Sequence, residues 1–115
     1  MILTLFVYNL VLALIIIILA VPLYKEKIRV NRWYGVRLLK SYESEQIWHR
    51  INKLWAKRAF LWASLYILAD IIIYVISVLL TPQNELIFIL LFSLLPVMIA
   101  AMLFIAAIIV SSKIA

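Results

Sequence analysis

The sequence predicts an all-α integral membrane protein. Three transmembrane helices are expected at about 2–23, 59–80 and 86–110, with a cytoplasmic amphipathic interfacial helix at about 42–57. Three observations lead there. Of the 115 residues, 69% are hydrophobic and 14% charged, with a mean hydropathy of +1.18. Soluble domains sit nearer half apolar and a quarter charged, and a chain this short has too little interior to hide such a surface from water. The charge is also segregated, since ten of the eleven Lys and Arg residues fall between Lys25 and Arg58 and only Lys113 lies outside. Finally, the apolar residues form runs of about 20 or more, the length that crosses a hydrocarbon core of about 30 Å.

The first run, Ile2 to Leu23, has no charged side chain. A signal peptide would put basic residues before the apolar run and a small-residue cleavage site after it; here the basic residues follow the run, so a retained helix is expected. The second span, from Ala59 to Leu80, is interrupted by Asp70. Thr81 to Glu85, "TPQNE", reads as a tight turn, with Pro82 closing one helix or opening the next. The third span contains Pro96, which removes an amide and frees the Phe92 carbonyl four residues back. The positive-inside rule places the 25–58 region in the cytoplasm, the N-terminus outside and the C-terminus inside, giving a multi-pass cell-membrane protein. The chain's length suits one domain, residues 1–115.

Between the first two spans, Ile47, Trp48, Ile51, Leu54, Trp55 and Trp62 recur at helical spacing. Glu45, Gln46, His49, Arg50, Asn52, Lys53 and Lys57 fill the other side. This is a narrow apolar stripe on a polar helix. Ser41 is the expected N-cap, with Glu43 and Glu45 near the positive helix end. Tryptophans at 48, 55 and 62 suit a headgroup interface, so the helix is expected to lie along or obliquely at the membrane surface, with the 25–58 region meeting anionic headgroups.

Just before that helix stands "NRWYGVR", Asn31 to Arg37, which holds the chain's one glycine. Gly35 predicts a backbone turn with positive φ or a close approach. Asn31, Tyr34 and Arg37 are expected to fold inward and lock the loop, with Arg37 pairing with Glu43 or Glu45 or holding a lipid phosphate.

The stretch "VNRWYGVRLLKSYESEQIWHRINKLWAK" resembles the signature region of the SdpI-type bacterial and archaeal membrane proteins. That signature has an Asn-x-x-Tyr-Gly-x-Arg-Thr-Pro block preceded by proline, then a tryptophan, then Asn-Arg-x-x-Gly. Asn31, Tyr34, Gly35 and Arg37 match the first block, Trp48 the tryptophan, and Asn52-Lys53 the Asn-Arg pair. Val30 stands where proline is usual, Leu38-Leu39 replace Thr-Pro, and Ala56 replaces the glycine. The resemblance implies a short three-span member of an integral membrane family. Its name-giving member confers immunity to a secreted toxic peptide and takes part in signalling to a cytoplasmic repressor.

Asp70 lies near the middle of its span, where an acid costs about 2.5–3.5 kcal/mol to insert. It should be protonated, paired or turned to the bundle interior. Ala59, Ala63, Tyr66, Asp70, Tyr74 and Ser77 form one small and polar stripe, the face expected to pack on the other helices. At 1.5 Å per residue, Asp70, Ser93 and Asn9 lie at similar depths, about 10–15 Å from the outer surface. A polar cluster of Asn9, Asp70, Ser93 and the freed Phe92 carbonyl follows, with Tyr66 or Tyr74 beside it. Interhelical bonding and a proton or ligand role are both open to it.

Other classes are disfavoured. One histidine and no cysteine leave the usual zinc and haem ligand sets unfilled. One glycine rules out a glycine-rich phosphate loop, and no nucleophile–base–orienter set is visible around Ser41, Ser44 and His49. No enzyme, cofactor, metal or nucleic-acid role is expected, because topology already explains the basic block. The expected function is binding: toxin-peptide immunity or envelope signalling. The alternatives are an accessory subunit beside a partner membrane protein and a small proton-coupled transporter built on Asp70.

Overall fold

The structure is a computed structural model describing residues 1–80 and 85–113. Its helices are α1 (Ile2–Tyr24), α2 (Glu45–Leu79) and α3 (Glu85–Lys113), with a 3₁₀ turn at Leu39–Tyr42 before α2. Among the described residues there is no strand. Each helix is long and apolar enough to cross a membrane. The Thr81–Glu85 turn lies, Glu85 apart, outside the described residues.

The termination of α1 follows from local chemistry. Pro22 sits in its last turn, and a Schellman arrangement closes the end: Lys27 N donates to Pro22 O at 3.0 Å and Glu26 N to Leu23 O at 3.2 Å. Glu26 occupies the left-handed position with φ 59°, where glycine is the default residue. The one glycine has been placed elsewhere.

The separate interfacial helix expected at 42–57 is not formed. Its residues from Glu45 onward are the first third of α2, which runs unbroken for 35 residues, a length of about 52 Å against a hydrocarbon core of about 30 Å. Two features explain the continuity. No glycine or proline falls between Glu45 and Leu79 to break the helix. The apolar stripe of the amphipathic part is also in phase with the small-residue stripe of the span: Trp48, Asn52, Ala56, Ala59, Ala63, Tyr66 and Asp70 are all buried along one face. A bend at Arg58 would break that continuous face. The tryptophans likewise serve the interior. Trp48 is fully buried and its Nε1 donates to Ile28 O at 2.9 Å. Trp55 Nε1 donates to Leu103 O at 2.9 Å, and Trp62 packs beside Ala13, Tyr66 and Ile99.

The start of α2 differs too. Ser44, not Ser41, is its N-cap, with extended backbone and Oγ accepting from Ile47 N at 3.0 Å. Ser41 is buried in the 3₁₀ turn and turns its hydroxyl back to Leu38 O at 2.6 Å, so it is spent locally.

The three helices alternate in direction, with α2 against both neighbours. Alanines set the close approach of α1 and α2: Ala20 packs with Ala56 and Ala59, and Ala13 with Tyr66. Ala56, where the SdpI-type signature has glycine, is fully buried there. Aromatic pairs fasten α1 to α2 at both ends, Phe6 stacked on Tyr74 at 4.3 Å and Tyr24 edge-on to Phe60 at 5.8 Å. On α3, Val110 joins Ile51 and Val36 in a third cluster, which draws the loop into the core.

Candidate functional site

The loop folds back onto the bundle, and each turn of it has a named cause. Asn31 organises the entry. Its Oδ1 accepts from Trp33 N at 2.8 Å and Tyr34 N at 2.6 Å, and its Nδ2 donates to Arg29 O at 2.7 Å. This is an Asx-type turn, in which a side chain substitutes for backbone partners. Tyr34 then reaches the side of α1 and donates its hydroxyl to Leu19 O. Leu19 lies five residues inside the end of α1, so the loop descends about 7 Å along the helix. Burial pushes the Tyr34 phenol above its ordinary value of 10.0.

Gly35 sits where the loop meets α2, with φ +111°. A Cβ there would lie 2.7 Å from Asn52 Oδ1, 3.1 Å from Trp48 Cζ2 and 3.3 Å from Leu23 Cδ2. Positive φ and close approach therefore coincide at this residue. The following amide, Val36 N, donates to Asn52 Oδ1 at 2.6 Å, while Asn52 Nδ2 donates to Trp48 O at 2.9 Å. Asn52 is thus a buried bracket between α2 and the loop. Trp48 closes the arrangement through its bond to Ile28 O, and Tyr42 donates to Asn31 O at 3.2 Å. Five of the six expected loop residues, Asn31, Tyr34, Gly35, Trp48 and Asn52, meet in this one unit.

Arg37 is the sixth and behaves differently. It is exposed, and its Nη1 donates to Arg32 O at 2.6 Å. Neither Glu43 nor Glu45 pairs with it: Glu45 is 3.4 Å from Arg29 and 3.8 Å from His49, and Glu43 is 3.2 Å from Lys40. Trp33 is 87% exposed and Leu39 91% exposed. Between the loop and the flanks of α1 and α3 lies a cleft of about 640 Å³ that takes in Arg32, Trp33, Arg37, Leu19 and Phe104. Arg32 and Trp33 carry no helical-period or spacing signal that marks them for this cleft; only the descent of the loop does so.

Deeper in the bundle, Asn9 is fully used. Its Nδ2 donates to Leu5 O at 3.0 Å and to Phe92 O at 3.2 Å, and its Oδ1 accepts from the Tyr66 hydroxyl. The carbonyl released by Pro96 is therefore taken by α1, and one asparagine joins all three helices. Asp70 is fully buried one turn from Tyr66, and neither carboxyl oxygen has a hydrogen-bond partner among the described residues. It does not donate to the Phe92 carbonyl. Ser93 stands apart from the cluster: it is exposed, and its hydroxyl returns to Ile89 O at 2.7 Å. Its depth is right but its direction is wrong, because it follows the buried Phe92 by about 100° around the helix.

Three spanning helices with a basic loop fastened to one end define a multi-pass membrane protein. The chain belongs to the SdpI/YfhL protein family, whose sequence profile matches residues 27–112. The match takes in the loop, α2 and nearly all of α3. No curated protein and no solved structure matches the chain.

Proposed function

We propose that this chain acts by binding rather than by chemistry, in immunity to a secreted toxic peptide or in envelope signalling, as the name-giving member of its family does. The observation that carries the reading is the family match across 27–112, which contains the whole docked loop. The loop's construction supports it: Asn31, Tyr34, Gly35 and Asn52 hold one another and the backbone, which leaves Trp33, Arg32 and Arg37 presented on a fixed frame. A fixed frame lowers the ordering cost of recognition. The basic block between the first two spans supports an orientation with this loop in the cytoplasm, the N-terminus outside and the C-terminus inside.

The test is a survival assay with affinity purification from native membranes. Cells expressing the chain should outlive controls when challenged with the secreted peptide of the same gene neighbourhood, and Gly35→Ala should lose that protection. Equal survival of expressing and control cells would reject immunity. Co-purification with a larger membrane enzyme at fixed stoichiometry would instead support an accessory subunit.

A second reading rests on Asp70, whose buried carboxyl oxygens have no hydrogen-bond partner among the described residues. In it, the acid carries a proton for a small coupled transporter. Loss of function in a correctly folded Asp70→Asn variant would favour this reading, and retained function would remove it.

A further inference from the structure

The cleft beside the docked loop combines features that belong together at a membrane surface. Arg32 and Arg37 lie on its loop side, and Leu19 and Phe104 on its helix walls. Leu19 is 48% exposed and Phe104 63% exposed, so the walls continue into the lipid-facing sides of α1 and α3. Leu19 is five residues inside the end of α1, about 7 Å below it, which is the depth at which headgroup gives way to acyl chain.

Among the described residues the charge is unanswered and no carboxylate lines the cleft; Glu43 lies beside Lys40, and Glu45 beside Arg29 and His49. Arg37 spends one N–H on the Arg32 carbonyl and keeps the rest of its fork. Two guanidinium groups with free donors, above an apolar trough open to the bilayer, match an anionic amphiphile in both halves. Trp33 on the rim adds a ring of the kind favoured at headgroup level.

We propose that this cleft binds one anionic phospholipid, with Arg32 and Arg37 holding the phosphate and the acyl chains lying along Leu19 and Phe104. The site uses the arginines that the proposed recognition frame presents, but its test reads lipid retention and so can fail separately from the immunity and signalling reading. It is also more specific than attraction of a basic region to a charged surface, because it names two arginines out of ten basic residues in that region.

The full chain, extracted in mild detergent from nanodiscs of mixed phosphatidylglycerol and phosphatidylcholine, should retain phosphatidylglycerol preferentially at about one per chain, read by native mass spectrometry. The double variant Arg32→Gln/Arg37→Gln should lose about tenfold of that preference, as expected when charge-assisted hydrogen bonds are removed. Lys53→Gln/Lys57→Gln, altering two other basic residues, should leave it unchanged. Glycerol phosphate in solution should not displace the lipid, since it lacks the chains that fill the trough. To guard against a misfolded double variant, phosphatidylglycerol with brominated chains should quench wild-type fluorescence more than that of Trp33→Phe. Equal retention of the two lipids would overturn the proposal. So would equal losses in the arginine and lysine variants, which would mean diffuse attraction, or displacement by glycerol phosphate, which would mean a free-phosphate site.

Discussion

Replacing Gly35 with alanine probes the loop at its tightest point. The new Cβ would sit 2.7 Å from Asn52 Oδ1 and 3.1 Å from Trp48 Cζ2. Neither neighbour is free to yield: Trp48 is fully buried, and Asn52 is held through Val36 N and Trp48 O. Holding a non-glycine residue at φ +111° costs about 1–3 kcal/mol. If Asn52 swings aside, the Val36 amide is left unpaired in a buried place, at about 1–3 kcal/mol more. The sum is about 2–6 kcal/mol, enough to release the loop. It should leave the bundle intact, because the Ala13 and Tyr66 contacts lie elsewhere. Hydrogen exchange in detergent micelles reads this directly. Protection at Tyr34 and Val36 should fall by at least about thirtyfold, at about 1.4 kcal/mol per tenfold, while amides near Ala63 keep theirs. Adding Asn52→Ala should cost much less in the Gly35→Ala background than alone, since the two residues share one contact. Unchanged protection at Val36 in the single variant would refute the reasoning.

Four further predictions concern single residues. Asn9→Ala removes the bonds that join α1 to Phe92 O and Tyr66 and should lower stability by about 1–2 kcal/mol in reversible detergent unfolding. Asp70→Asn, which removes an acid without hydrogen-bond partners among the described residues, should cost less than that; the opposite order would mean that Asp70 has a structural bond. Glu26→Gly relieves a left-handed glutamate at φ 59° and should raise stability by about 0.5–1 kcal/mol, with a fall in Tm as the contrary result. The Tyr34 phenol is raised from 10.0 by burial, and only its protonated form can donate to Leu19 O. Its stabilisation of the loop should be complete below pH 10 and lost as pH rises through the elevated folded value. A fluorescence titration should show this step in the wild type and not in Tyr34→Phe.

The spans, the basic loop and the importance of Gly35 can be read from the sequence because each rests on a local signal: an apolar run, a charge block, or one residue permitted where others are not. The polar stripe through Tyr66 and Asp70 is equally legible, since helical period alone puts them on one face. What escapes such reading depends on direction and on partners. Depth groups Ser93 with Asn9, but azimuth separates them. An amphipathic stripe with three tryptophans has the same pattern whether lipid or protein covers it. Here Val36, Leu38 and α3 cover it, and that coverage comes from a loop with no periodicity to announce its path. Arg37 illustrates the same limit: charge suggests a glutamate partner, while geometry gives it the Arg32 carbonyl.

The docked loop depends on α2 standing upright, because Trp48 and Asn52 receive the loop on the part of α2 that precedes the small-residue face. The chain has no cysteine, so spin labels at Arg50→Cys and Val78→Cys would be the only two in the molecule. Pulsed dipolar spectroscopy in lipid nanodiscs then measures the helix directly. A continuous α2 predicts a backbone separation of about 42 Å for 28 residues. A surface-lying helix turning a right angle near Arg58 would give about 32 Å, and that value would contradict the account.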